Sequence, residues 1–386
     1  MSLFQNIPLA PSDPILGLTQ AFKKDENPQK VNLGVGAYKT DDLQPFVFSS
    51  VRAAEQEMLD ERLDKEYLPI DGDQEFRKAA LSFVLGPHQD LSKIAFVQSL
   101  GGTGALSLAM KFLLSWGLNK IYLSKPTWAN HKPLCEKNGM QVLEYSYCSH
   151  DGLEFSEMCQ SLEAAEEKSV VLFHASCHNP SGIDPSSEEW KELALLVKRK
   201  NLLPFFDIAY HGFGEGLDKD CLGFQSFIDL GIETLFAYSF SKNFGLYGER
   251  LGFLALVSGE EKVAEHVQSQ LKAMIRSQYS SPPLHGAQIV KRVLQSPKLL
   301  ASWKKELEAM RLRVVEMRKA FAKELPIFSF VEQQKGMFSL LGIEKETVQK
   351  LKDEKALYMP GSGRINFAGL CSKNFQRVVE SLKAVL

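Results

Sequence analysis

Several residues able to do chemistry stand at the ends of apolar runs. Lys242 follows TLFAYSF (234–240), a β-branched and aromatic stretch that predicts a buried strand. An amine at the end of a core strand is costly unless it has a partner or a task. Asp207 closes LPFFD (203–207), and Tyr210 comes three residues later in IAYHGFG. Asn179 lies in VVLFHASCHNPSG, where the Asn-Pro bond is a candidate for a cis peptide in a tight turn. In SLGGTGAL (99–106), Gly101, Gly102 and Thr103 fall between a strand pattern and a helix pattern. Backbone N–H groups at a helix N-terminus make a phosphate site. The stretch is neither GxGxxG nor GxxxxGK[ST], so it is neither a dinucleotide fingerprint nor a P-loop. Alone, each feature has a plain account as a turn, a helix cap or a salt-bridge partner.

The elements that must position these groups are legible as well. Apolar runs recur from residue 94 onward: IAFVQS, KIYLS, QVLEYSY, VVLFHAS, LPFFD, TLFAYSF and GFLALVS. Between several of them lie helical patterns, among them GTGALSLAMKFLLSW and SSEEWKELALLVKRK, where Ser186 and Glu189 fit a capping box. Strands alternating with helices predict an α/β domain with a largely parallel sheet, whose ligands sit beyond the carboxyl ends of the strands. The last third changes character. Residues 301–324 predict one long amphipathic helix, followed by short strand and helix patterns of an α+β unit. Residues from Pro14 to Phe22 predict a short helix leading into VNLGVGAY. The expected layout is an N-terminal arm (1–12), a small domain from both chain ends (13–45 with 306–386) and a large ligand-binding domain (46–305).

Bulk properties narrow the function. With 386 residues, 44% hydrophobic and 24% charged, the chain is expected to be an ordinary globular protein with a sizeable core. A net charge of −2 gives no reason to expect a nucleic-acid or anionic-membrane partner. The first residues show no signal-peptide pattern, and no apolar run reaches the roughly 18 residues of a membrane span. Six cysteines are scattered without a CxxC, which predicts reduced thiols and a cytoplasmic setting. His174 and His178 form a pair, but there is no HExxH, and no metal is expected.

A phosphate cradle, a carboxylate, a phenol, an amide and an amine at the strand ends of one sheet suit pyridoxal phosphate. Its aldehyde takes a lysine amine and its ring nitrogen takes a carboxylate. The chain resembles the class I aminotransferases of the aspartate/aromatic amino acid subfamily, which are fold-type-I pyridoxal-phosphate enzymes. The likeness runs nearly end to end through DPILGLTQAF, VNLGVGAY, YLPIDGDQEF, SLGGTGAL, PTWANH, HNPSGIDP, DIAYHGFG, SFSKNFGLYGERLG, IRSQYSSPPLHGA and GRINFAG. The resemblance implies that Lys242 is the Schiff-base lysine and catalytic base, that Asp207 pairs with the ring nitrogen, and that Tyr210 and Asn179 hold the ring's phenolic oxygen. It implies that Trp128 stacks on the ring and that His131 supports Asp207. Gly102, Thr103, Ser239, Ser241 and Arg250 would form the phosphate cup, with Tyr67 from a neighbouring subunit of a homodimer. Arg364 would bind the substrate α-carboxylate, Arg276 would reach across the dimer to a distal carboxylate, and the Gly36 backbone would lie against the substrate.

The implied activity moves the amino group of aspartate, tyrosine or phenylalanine to 2-oxoglutarate. The chain departs from the usual pattern of aspartate-selective members at Ser281 (Asn there), Glu66 (Asn), Gln44 (Thr) and Gln278 (Asn). Ser281 before two prolines resembles the aromatic-using members, so the choice between donors stays open. Other fold-type-I reactions, β-decarboxylation or C–S cleavage, are the alternative, and the paired Arg276 and Arg364 speak against them. A non-catalytic relative would be expected to lack the lysine or the carboxylate, and both are present.

Overall fold

The computed structural model describes residues 2–9, 16–149 and 152–386. The seven apolar runs become seven strands of one sheet: β1 (Ile94–Leu100), β2 (Lys120–Lys125), β3 (Gln141–Ser146), β4 (Val170–His174), β5 (Leu203–Ile208), β6 (Thr234–Ser239) and β7 (Leu251–Val257). Their order across the sheet is β1-β7-β6-β5-β4-β2-β3. Strands β2 to β6 pair in parallel, whereas β7 runs antiparallel to both of its neighbours, β1 and β6.

Strands β4 and β6 are buried along their whole length, as expected where helices cover both faces. Alternation sorts the side chains. Phe96, Phe236, Tyr238 and Phe253 enter one core with Trp190 and Trp303, while Val97, Leu235, Ala237 and Leu254 enter the other. The second face is covered by the helices Gly101–Ser115 and Glu261–Gln278. On the first face, the helix Ser187–Arg199 opens with the expected capping box of Ser186 and Glu189. The long helix is Pro297–Glu324, four residues longer at its start than the sequence pattern indicates. Pro297 sits in its first turn and the Ser296 side chain accepts from Leu299 N, so the start is set by a cap and a fixed φ rather than by periodicity.

The two chain ends meet. Val31–Asn32 pairs in parallel with Leu357–Tyr358, and Phe338–Leu340 pairs antiparallel with Arg364–Asn366. Asn366 N donates to Leu33 O at 2.9 Å, stitching the two small sheets together. The expected N-terminal helix is present as Leu16–Lys24. Pro14, and the boundary expected between arm and small domain at 12–13, lie outside the described residues. Both Asn179-Pro180 and Lys125-Pro126 are cis, and the sequence pattern pointed only to the first. No helix among the described residues is long and apolar enough to cross a membrane.

Candidate active site

The reversed strand explains one half of the site. Because β7 runs against its neighbours, its first residue lies at the edge where β1 and β6 end: Leu251 pairs with Leu100, and Gly252 with both Ser99 and Ser239. Arg250 therefore meets the turn that begins the helix Gly101–Ser115. Glycine is required there. Gly101 has φ +69°, and a Cβ on it would come within 2.6 Å of Arg250 Nη2. A Cβ on Gly252 would strike Tyr238 O at 2.5 Å and Gly101 C at 2.6 Å. The helix has no capping side chain at its N-terminus. Arg250 Nη1 reaches Ser241 Oγ at 3.4 Å and Tyr247 O at 3.0 Å, and Ser241 N donates to Ser239 Oγ at 3.3 Å. A guanidinium beside the positive end of a helix is unfavourable by itself. An anion between them would satisfy both, with Gly102 and Thr103 in the first turn of the helix offering it backbone N–H groups.

The other half is built on β4 and β5. Asp207 is buried near the end of β5 and accepts a hydrogen bond from His131 Nε2 at 3.0 Å. Burial pushes its carboxyl up, but the hydrogen bond and charge of His131, with the charge of Lys242, more than offset this and hold it below its usual value. His131 is oriented from behind by Thr127 Oγ1 at 2.7 Å, and the Trp128 ring meets it edge-on at 5.2 Å. His174 and His178 belong to this layer, their rings 4.4 Å apart. Each is held neutral by burial: His174 is pushed down to about 3, and His178 lies well below its usual value.

Asn179 joins the cofactor side to the substrate side. Its Nδ2 donates to the Tyr210 hydroxyl at 3.1 Å, and its Oδ1 accepts from Arg364 Nη1 at 3.0 Å. Arg364 Nη2 donates to Gly34 O at 2.6 Å, its Cζ lies 4.2 Å over the Phe338 ring, and its buried Nε has no partner among the described residues. Gly36 backs onto the same ring, since a Cβ there would sit 2.9 Å from Phe338 Cζ. Asn366 Nδ2 holds the neighbouring carbonyls of Val35 and Ala37 at 2.6 and 3.1 Å. Lys242 Nζ stands 5.1 Å from the Tyr210 ring centroid. Burial lowers its pKa; Asp207 opposes the shift, and Arg250 and Arg364 add to it.

Two expected residues stand apart. Tyr67 is 85% exposed, and Arg276 is an exposed residue in the last turn of its helix that hydrogen-bonds Ser280. Sequence reasoning missed Phe338, Thr127 and Asn366. A phenylalanine in a short strand has the signature of any core residue, and only its place opposite Asn366 in the ladder brings it near Arg364.

The residues present fit pyridoxal phosphate. An uncapped helix N-terminus beside Arg250 suits its phosphate, Asp207 its ring nitrogen, Tyr210 and Asn179 its phenolic oxygen and Lys242 its aldehyde. Fold and site define a fold-type-I enzyme. The description "Aminotransferase class I and II" matches residues 28–382. The aspartate aminotransferase of Escherichia coli (strain K12) is 42% identical over 396 residues, covering all of both chains. The crystal structure of the aromatic-amino-acid aminotransferase from Burkholderia pseudomallei, covalently bound to pyridoxal phosphate, superposes with a TM-score of 0.97 at 40% identity, covering all of both chains. The cytoplasmic aspartate aminotransferase of Saccharomyces cerevisiae gives 0.96 at 35% identity, covering 99% of this chain and 98% of that one. The chain belongs to the class I and II aminotransferase family.

Proposed function

We propose that the protein is a pyridoxal-phosphate-dependent transaminase that moves the amino group of aspartate, tyrosine or phenylalanine to 2-oxoglutarate. The products are glutamate and the matching 2-oxo acid, formed in two half-reactions. One observation carries the substrate class. Arg364 is buried, has no carboxylate partner among the described residues, and keeps an unpartnered Nε beside Asn179 and within the reach of the Lys242 site. A buried guanidinium held by neutral acceptors is completed by the α-carboxylate of an amino acid, which its planar fork binds in two places.

When bound, the cofactor supplies an electron sink conjugated to the substrate's amino group. The chain's own groups do the rest. Arg364 and Asn179 orient the α-carboxylate. Lys242, its pKa lowered by burial, would take the proton from the substrate's α-carbon and carry it, a task for which an ordinary lysine is too fully protonated. Asp207, kept ionised by His131, holds the proton on the ring nitrogen. Trp128 would stack on the cofactor ring, Tyr210 and Asn179 would hold its phenolic oxygen, and the Gly36 backbone would lie against the substrate.

Tyr67 and Arg276 are assigned to the active site of a second copy, in a homodimer whose sites lie at the interface. Their exposure in the single chain supports that assignment. A small domain from both chain ends, supported by the ladders joining 31–32 to 357–358 and 338–340 to 364–366, would close over this site. The protein is assigned to the cytoplasm. The test is a panel of amino donors assayed with 2-oxoglutarate: glutamate formed from aspartate and from phenylalanine supports the reading. Alanine or pyruvate as the amino-acid-derived product, with no glutamate, would instead identify a β-decarboxylase or C–S lyase.

A further inference from the structure

Asn179 touches both the Tyr210 hydroxyl and the Arg364 guanidinium, so its position sets the relation between the cofactor side and the substrate side. That position depends on backbone that is not relaxed. Cys177, two residues earlier, has φ +55°, a left-handed conformation that is unfavourable for a non-glycine residue. Such a conformation persists only where its surroundings impose it. The imposing group is a single carboxylate: Asp184 Oδ2 accepts the Cys177 N–H at 2.7 Å, and Oδ1 accepts the His178 N–H at 2.9 Å. Both oxygens are engaged by successive peptide groups, which fixes the plane of each.

The loop has further contacts: upstream, Ala175 N donates to Asp207 O at 3.1 Å; at His178 itself, Nε2 pairs with Ser124 Oγ at 3.1 Å and the ring stacks on Tyr147 at 3.9 Å; the others lie downstream. Ser181 Oγ meets His178 Nδ1 at 2.7 Å, Gly182 N donates to His178 O at 2.7 Å, and Tyr147 OH donates to Ile183 O at 2.8 Å. Cys177 adds a long contact from Sγ to Tyr210 O at 3.8 Å, but neither this nor the Ala175 bond engages the Cys177 or His178 peptide N–H. Gly182 is tied to the neighbouring segment, its carbonyl accepting from Lys335 N at 2.6 Å, and its α-carbon packs so closely on Phe338 O that a Cβ would lie 2.5 Å from it.

We propose that Asp184 is a positioning residue of the reaction: it holds the Cys177–His178 peptides in their strained form and so fixes Asn179 between Tyr210 and Arg364. The inference rests on the reading of Arg364 as the α-carboxylate site. Every amino acid carries that carboxylate, so the effect of losing Asp184 is independent of the substrate's side chain.

The experiment compares wild type, Asp184→Asn, Cys177→Gly and the double variant, all as cofactor-loaded enzyme. An amide keeps one acceptor and turns an NH2 group against the second peptide N–H. Asp184→Asn is expected to raise KM for aspartate and for phenylalanine by the same factor, about tenfold, with kcat within about twofold. The Kd of a non-reacting dicarboxylate, maleate, measured by calorimetry, should rise equally. Glycine takes a positive φ freely, so adding Cys177→Gly should return KM and Kd to within about threefold of wild type. A lower Tm for Asp184→Asn with unchanged KM and Kd would overturn the proposal, as would a raised KM that Cys177→Gly does not restore. Should Asp184→Asn alone fail to fold, Asp184→Glu replaces it: a KM raised equally on both substrates supports the proposal, and an unchanged one overturns it. Wild type without turnover on any donor would refute the proposed function instead, and the maleate titration would still decide the role of Asp184.

Discussion

His131 Nε2 lies 3.0 Å from Asp207 Oδ2, and this bond ends a chain of three groups behind the carboxylate. Nε2 donates to the carboxylate, Nδ1 pairs with the Thr127 hydroxyl at 2.7 Å, and Thr127 Oγ1 in turn meets His174 Nε2 at 3.3 Å. An acceptor-only carboxylate at the end of such a chain stays ionised, as its lowered pKa indicates. Asp207→Asn should therefore retain the cofactor, which the phosphate cup still holds, and lose at least about a hundredfold in kcat, or roughly 2.7 kcal/mol. Near-normal turnover with cofactor bound would mean that the carboxylate serves the fold alone.

Lys242→Ala should abolish turnover while leaving the far-ultraviolet circular dichroism and the thermal transition close to wild type. The half-buried lysine makes its main contact with the Tyr210 ring, so little packing depends on its amine. Borohydride reduction of the wild type, followed by peptide mass mapping, should place the cofactor mass on Lys242. Finding it on another lysine would sink the assignment.

The two arginines should separate by substrate. Arg364→Leu is expected to raise KM for aspartate and phenylalanine alike, because both present an α-carboxylate to it. Arg276→Leu should depress aspartate turnover strongly and leave phenylalanine nearly unchanged, since only a side-chain carboxylate would be left unpaired. Equal losses on both substrates would make Arg276 a structural residue.

Gly101→Ala tests the phosphate cradle. The added methyl must displace the Arg250 guanidinium, and φ +69° costs alanine about 1–2 kcal/mol. Cofactor affinity should fall by about tenfold, read as the concentration needed to restore half-maximal absorbance to apoprotein. Unchanged affinity would show that Arg250 and the helix start do not share an anion.

Three buried histidines set an acid limit on stability. Burial pushes His174 down to about 3 and His211 to about 4, and holds His178 well below its usual value, against about 6.5 in an unfolded chain. Between about pH 6.5 and 4 the unfolded state binds protons that the folded state refuses. Stability is then full above pH 6.5 and is lost as pH falls, at up to about 1.4 kcal/mol per unit for each histidine. Asp184 and Asp220, whose carboxyls burial raises, pull weakly the other way at the acid end. Urea midpoints of the apoprotein should drop clearly from pH 7 to pH 5, and His211→Gln should flatten the slope. Equal midpoints at the two pH values would show that these rings are protonated in the fold.

The seven strands were legible because each is a run of apolar residues long enough to stand out. The reversal of β7 was not, since alternation and burial read the same in either direction. Two- and three-residue strands such as Val31–Asn32 and Arg364–Asn366 are too short to carry a period, and their pairing is a tertiary fact. In the site, Lys242, Asp207 and Arg250 could be found as charges beside apolar runs, where burial demands an explanation. Thr127 and Phe338 could not, because a hydroxyl in a loop and an aromatic in a strand are unremarkable until their neighbours are placed.

Strand β7 also dates the site in the life of the chain. It is inserted between β1 and β6, so the cup that joins Gly101, Ser239 and Arg250 needs these three strands side by side. A nascent or refolding chain that has formed β4, β5 and β6 already carries Asp207 and Asn179 yet has nowhere to seat a phosphate. Capture of the cofactor thus becomes a clock: a refolding chain should gain its colour only once β7 has joined β1 to β6.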